Sequence, residues 1–445
     1  MTAHLQTFPA ELLVEIFSSC LSEEDTLDIR NPPWLLTRVC KHWSSVAVTT
    51  SILWCNLTLF VRSHSCKLLK NTSRLNLHLQ RSANQPLSLY LNFHKALPLW
   101  QGSDCSTLDL LIQQAYRWEV AEFWSLDATI LRKLQTSLVR GSTPMLKSLV
   151  FDLRNLSGLV WDTFEVCPSL RSLTLYECFA STQIRMPWGQ LTQFTARNLD
   201  IGRVMDMLRT MPALVECTIH QHLRTRGYSI AGIAPINLPN LRIFNVETHK
   251  ETLRASMREI LQHLYMPALV DLRVRVRTTP PASDMHISSF PCCHIVELSL
   301  IIGHGWAVIG IPEADIIAIL PNLPLLQELK IRCFHRISDD FLIHFFTTRE
   351  DGPETCLCPS LKSFVYEGPV GVDDYLGMII RVYMDSIGTG VPSVLREAYH
   401  GLQWKAPLVI TKFTFLPAAS PERRYNGMQD SDLFGVVDGY SFYQW

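Results

Sequence analysis

Apolar residues recur along the C-terminal two thirds of the chain in one pattern, L-x-x-L-x-L, usually with a proline or a small residue just ahead of it. The copies read "PMLKSLVF", "PSLRSLTL", "GQLTQFTA", "PALVECTI", "PNLRIFNV", "PALVDLRV", "CHIVELSL", "PLLQELKI" and "PSLKSFVY". Their first template position falls at Leu146, Leu170, Leu191, Leu214, Leu241, Leu269, Ile295, Leu326 and Leu361, in steps of 24, 21, 23, 27, 28, 26, 31 and 35 residues. All three template positions are apolar in every copy, with Ala196 and Cys217 the weakest members. Side chains alternate along a strand, so the second and third template positions share a face. One short parallel strand per copy would bury them, with the intervening stretch returning along the other side. Several returns have helical spacing. "DIGRVMDMLRTM" puts Ile201, Val204, Met205 and Leu208 on one side behind a candidate cap, Asp200, and "ETLRASMREILQHLY" and "SDDFLIHFFTTRE" behave alike.

Upstream of the repeats, "SRLNLHLQRS" and "QPLSLYLNF" have leucines at period two and are predicted as strands, followed by strand and helix in "RWEVAEFWSLDATILRKLQTSL". Further toward the N-terminus the period changes. "FPAELLVEIFSSCL" opens on Pro9, whose missing N–H costs nothing at a helix start, and places Leu12, Leu13, Ile16, Phe17 and Cys20 on one helical face. After the insert "SEEDTLDIRNPP" comes "WLLTRVCKHWSSVAV", where Leu35, Leu36, Val39, Cys40 and Trp43 follow at steps of three and four. As one helix, this puts Cys40 and Trp43 on an apolar stripe and turns His42 away. A nucleophile with its base, or a pair of metal ligands, needs convergent side chains, so Cys40 and His42 are read as packing. Near the C-terminus "PLVITKFTFL" is one more strand candidate. The organisation expected is a helical segment over 1–60, early strands and helices over 61–143, repeats over 144–386, and a cap and tail over 387–445.

Composition narrows the class. With 47% hydrophobic and 18% charged residues the chain can bury a large core and is too weakly charged for disorder. Forty basic against 41 acidic residues give a formal charge of −1, so no overall field draws it to nucleic acid or to an anionic membrane, and neither is an expected partner. The apolar stretch "LSLIIGHGWAVIGIP" falls short of the roughly 20 residues of a membrane span. Thirteen scattered cysteines, an odd number, fit a reducing compartment, and no basic-then-apolar leader is seen, so the cytoplasm and/or nucleus is expected.

"FPAELLVEIFSSCL … LLTRVCKHWSSVAVTTSILWCNL" resembles an F-box: a proline-started helix, a V-C-[KR]-x-W helix, a short third helix and a Leu-Trp ending, here Leu53 and Trp54. With the repeats behind it, the chain is similar to F-box proteins carrying a C-terminal leucine-rich-repeat solenoid, particularly the large fungal (mushroom-type) sets. The resemblance implies an α/β architecture: a three-helix F-box, then an irregular solenoid with parallel strands on its concave face and helices or loops on its convex face. It also implies a substrate receptor of an SCF-type cullin-RING ubiquitin ligase, bound to a Skp-family adaptor and through it to the cullin, and presenting a protein target. Pro9, Leu12, Leu13, Ile16, Leu36, Val39, Cys40 and Trp43 match motif positions that hold an F-box together or face the adaptor. Phe8 stands where the family has leucine, the insert lengthens the first inter-helix loop, and the Asn or Cys usual after the third template leucine is matched cleanly only by Cys178. The alternative is a leucine-rich-repeat binding scaffold whose F-box-like helices only cap the solenoid, with no ligase role.

On the outward positions of the repeats, Arg273, Arg275, Lys330 and Arg332 form a candidate target-binding patch around a near-neutral copy, able to converge on a phosphate or an acidic peptide. No phosphate-binding loop, dinucleotide fingerprint, nucleophile elbow or H-E-x-x-H is present, so neither an enzyme nor a cofactor is expected. Cys292, Cys293, His294, Cys356 and Cys358 have spacings unsuited to a structural zinc, and no metal is expected.

Overall fold

The computed structural model describes residues 8–21, 24–60, 72–92, 106–125, 128–136, 139–152, 160–177, 182–221, 234–248, 263–276, 295–302, 320, 323–333, 360–361, 363–367 and 412–416. The protein is mixed α/β and is organised by one long sheet. Thirteen strands run in chain order: β1 Asn56–Phe60, β2 Leu87–Asn92, β3 Trp118–Trp124, β4 Ser148–Asp152, β5 Ser172–Tyr176, β6 Gln193–Arg197, β7 Glu216–Gln221, β8 Ile243–Thr248, β9 Asp271–Val276, β10 Glu297–Ile302, β11 Glu328–Cys333, β12 Ser363–Glu367 and β13 Lys412–Leu416. Each pairs in parallel with the strand before it and the strand after it in sequence. The sheet therefore begins at Asn56, within the stretch 1–60 assigned to the helices.

Register explains why the nine copies of the pattern all work. Leu149 pairs with Leu173, and the same ladder continues through Phe194, Cys217, Phe244, Leu272, Leu298, Leu329 and Phe364. The third template positions form a second ladder two residues on, and the first template residues, from Leu146 to Leu361, are buried just ahead of each strand. Equivalent apolar positions meet across strands about 4.8 Å apart, so the core is one continuous column. A slip of one residue at any strand would turn both template side chains out of it.

Helices α3 Thr72–Arg81, α4 Ser106–Ile112, α5 Ala128–Thr136 and α6 Ile201–Leu208 supply the return side of that core through Leu75, Leu79, Leu111, Ile130, Leu134 and Val204, among others. The α6 cap is as expected: Asp200 Oδ1 accepts the N–H groups of Gly202 at 3.0 Å and Arg203 at 3.3 Å. "SRLNLHLQRS" corrects the expectation of a strand, since it lies in α3. Leu75 and Leu79 satisfy both a period of two and an i,i+4 spacing, and burial of these two with Leu77 exposed selects the helix. The helical returns expected in "ETLRASMREILQHLY" and "SDDFLIHFFTTRE" lie almost wholly outside the described residues, as does Cys178.

Strand exits take a form the sequence did not announce. Ser125, Glu177 and Asn198, each one residue past its strand, have positive φ. The turned amides are satisfied by the next strand: Glu177 N–H donates to Arg197 O at 2.9 Å and Asn198 N–H to His220 O at 2.8 Å. This is the turn accounting that an Asn or Cys ladder would otherwise perform.

Ahead of the sheet, α1 Ala10–Ser19 and α2 Lys41–Thr49 pack with single 3-10 turns at Leu36–Arg38 and Ser51–Trp54 around Leu13, Phe17, Trp34, Leu36, Val46, Ala47, Leu53 and Trp54. The insert between the two helices closes the sheet. Thr26 N–H donates to Thr58 O at 3.0 Å on the edge strand β1, and Thr58 N–H donates back to Thr26 Oγ1 at 3.1 Å. Leu27 enters the core of the sheet, its carbonyl accepting from Arg74 at 3.0 Å. An edge that would present open backbone groups is thus covered.

Candidate functional site

Two surfaces bear on function, one on the helical unit and one on the sheet. On the helical unit, the structure divides the eight residues singled out in the sequence. Leu13 and Leu36 are internal, 1% and 5% exposed, whereas Leu12, Ile16 and Val39 are 45%, 42% and 52% exposed. Leu12 and Ile16 lie one turn apart on α1 and so present a common apolar strip. Leu35, which sequence reasoning placed on the same side as Leu36, is turned outward with Val39. Pro9 sits at the start of α1, exposed, its carbonyl accepting Leu13 N–H at 3.2 Å. Trp43 is half-buried, its ring centroid 5.0 Å from that of Phe17.

Cys40 requires a correction. "WLLTRVCKHW" is not one helix: the 3-10 turn ends at Arg38, and Cys40 takes an extended conformation as the N-cap of α2. Its Sγ accepts Trp43 N–H at 3.4 Å, the role usually taken by Ser or Asp. His42 turns elsewhere and hydrogen-bonds through Nε2 with Phe8 O at 3.0 Å. Cys40 and His42 thus do not converge, although the reason is a chain break and not a helical wheel.

The helical unit joins the sheet through an aromatic box. Trp34 and Trp54 meet edge to face with centroids 5.0 Å apart, His78 of α3 lies 5.2 Å from Trp54, and the Arg81 guanidinium stands 4.5 Å from the Trp54 ring and 5.0 Å from Trp34. The indoles of Trp34 and Trp54 donate to Thr26 O at 2.9 Å and Ala47 O at 2.7 Å. Burial holds the His78 imidazole down at about 4, so it is neutral here. Next to it the buried Arg117 fans its guanidinium over Ser82 Oγ, Gln85 O, Leu79 O and Gln114 Oε1, tying α3 to the entry of β3.

The second surface is the open face of the sheet, lined by the strand residues that alternate with the core. At its C-terminal part, Arg273 and Lys330 of the candidate patch are exposed on β9 and β11. Of Arg275 and Arg332 only the backbone register is described: they flank Ile301 of β10 in one row. The patch does not stand alone. Asp271, Glu297 and Glu328 form a neighbouring acidic row in register across β9, β10 and β11. The Arg273 guanidinium is held by Asp271, with contacts of 2.6 and 3.2 Å. Partial burial, then the proximity of Asp271 and Glu328, pushes the Glu297 carboxyl up. The surface is striped in charge, not uniformly cationic. The acidic row was legible as the residue before the second template leucine in "VDLRV", "VELSL" and "QELKI", a position the sequence reading passed over.

The N-terminal part of the same face is aromatic. Phe60, Tyr90, Trp124 and Tyr176 form a line with successive centroid separations of 5.8, 6.2 and 4.5 Å, and the Arg197 guanidinium continues it 5.1 Å from the Tyr176 ring. Outward position alone did not give exposure. Tyr176, Asp152 and Glu247 are buried on this face, Glu247 paired with His220 Nδ1 at 2.9 Å.

Among the described residues no group of three His, Cys, Asp or Glu side chains could hold a metal ion, and no helix is long and apolar enough to cross a membrane. Cys292, Cys293, His294, Cys356 and Cys358 lie outside the described residues. Burial pushes the Cys217 and Cys167 thiols up, which makes them packing groups and not nucleophiles. No family model matches the chain, and no curated protein matches it significantly in sequence.

Proposed function

We propose that this protein is a substrate-recognition subunit of an SCF-type cullin-RING ubiquitin ligase, a non-enzymatic receptor whose catalysis belongs to its partner subunits. In this reading the N-terminal helical unit is an F-box that docks on a Skp-family adaptor, and the long sheet is an irregular leucine-rich-repeat solenoid whose open, concave face holds a protein target. The observation that carries it is the division within the motif. Leu13 and Leu36 build the small core, while Leu12, Ile16 and Val39 are left in solvent, as are Leu35, Val48 and Ile52 of the same unit. So many exposed apolar side chains on so small a unit support a protein-binding role for it.

Co-expression with a Skp-family adaptor tests this. The expected result is a stable one-to-one complex that Leu12→Asp combined with Val39→Asp abolishes, with an unchanged limited-proteolysis pattern. Failure of the unmodified protein to bind under conditions where a known F-box binds would sink the receptor reading, and survival of the complex in the double variant would sink the residue assignment.

One observation favours the second reading, a scaffold with no ligase role. The insert already gives the helical unit a structural task, since Thr26 closes β1 and Leu27 enters the sheet core. That reading predicts a folded protein indifferent to the adaptor.

A further inference from the structure

We draw no further inference here: the strongest candidate, the line of rings Phe60, Tyr90, Trp124 and Tyr176 on the open face of β1 to β5, carries none, because nothing in the structure shows what covers it.

Discussion

The helical unit and the sheet treat the same residue types in opposite ways. Along the sheet, every template leucine of β4 to β11 has an equivalent on each side, and all of them are buried. In the helical unit, adjacent leucines part company: Leu12 is in solvent and Leu13 is not, Leu35 is in solvent and Leu36 is not. Repetition lets each strand complete its neighbour's core, so an apolar residue at a template position always finds partners. A unit of two short helices and two 3-10 turns has no such neighbour, and it cannot enclose all of the apolar side chains its sequence supplies. What it leaves outside is therefore dispensable for folding and open to selection for binding.

Breaking the core of the helical unit should have the largest effect. Trp54→Ala removes a fully buried ring that contacts Trp34 and His78, together with its hydrogen bond to Ala47 O, and should cost about 3–5 kcal/mol in urea unfolding. A loss below about 1 kcal/mol would mean that Trp54 is not the packed centre of the helical unit.

Acid should sharpen the same boundary. His78 has an ordinary value of 6.5 and is held at about 4 in the folded protein, so below pH 6.5 the unfolded chain gains a proton that the folded chain refuses. Stability is full above that value and falls by roughly 1.4 kcal/mol per pH unit toward pH 4. His78→Leu should remove this component, and the difference between wild type and variant across pH 7 to 4.5 measures it. Parallel pH dependences in the two proteins would contradict the burial of a neutral imidazole.

A smaller change is expected at the sheet edge. Thr26→Val keeps the shape but deletes the hydroxyl that accepts Thr58 N–H, costing about 1–2 kcal/mol. Hydrogen exchange should then quicken at the amides of β1 while the strands of the sheet centre keep their protection. Least of all on stability should be Leu12→Ser with Val39→Ser, within about 0.5 kcal/mol of wild type by urea unfolding; under the proposed function the same pair abolishes co-purification with a Skp-family adaptor.

The sheet was legible because its information is periodic. Three apolar positions per copy define strand, face and register at once, and Asp200 announced its helix by residue type and place. The early strands were partly legible, but the leucines of α3 fit two periods, and only the choice of which to bury separates them. In the helical unit the first helix was legible from Pro9 and its spacing, but not which of its apolar residues would be buried, nor the course of the chain after it. A run of apolar residues at steps of three and four does not reveal that the backbone turns extended at Cys40. The junction was out of reach for a different reason. Thr26 meets Thr58, 32 residues away, and Arg117 meets Leu79, 38 residues away, and neither pairing leaves a trace in the local pattern. The aromatic line was hidden likewise, one ring per strand, until register brought Tyr90, Trp124 and Tyr176 side by side.

The aromatic box at the junction also works as a pivot with a long arm. Thirteen parallel strands put twelve inter-strand steps between β1 and β13, a contour of roughly 58 Å at about 4.8 Å per step. Were the box to loosen and let the helical unit tilt by only about 10°, the far end of such an arm would swing by about 10 Å, two strand widths. Trp34, Trp54, His78 and Arg81, with the Thr26–Thr58 and Arg74–Leu27 ties beside them, thus set the bearing of the strands beyond them.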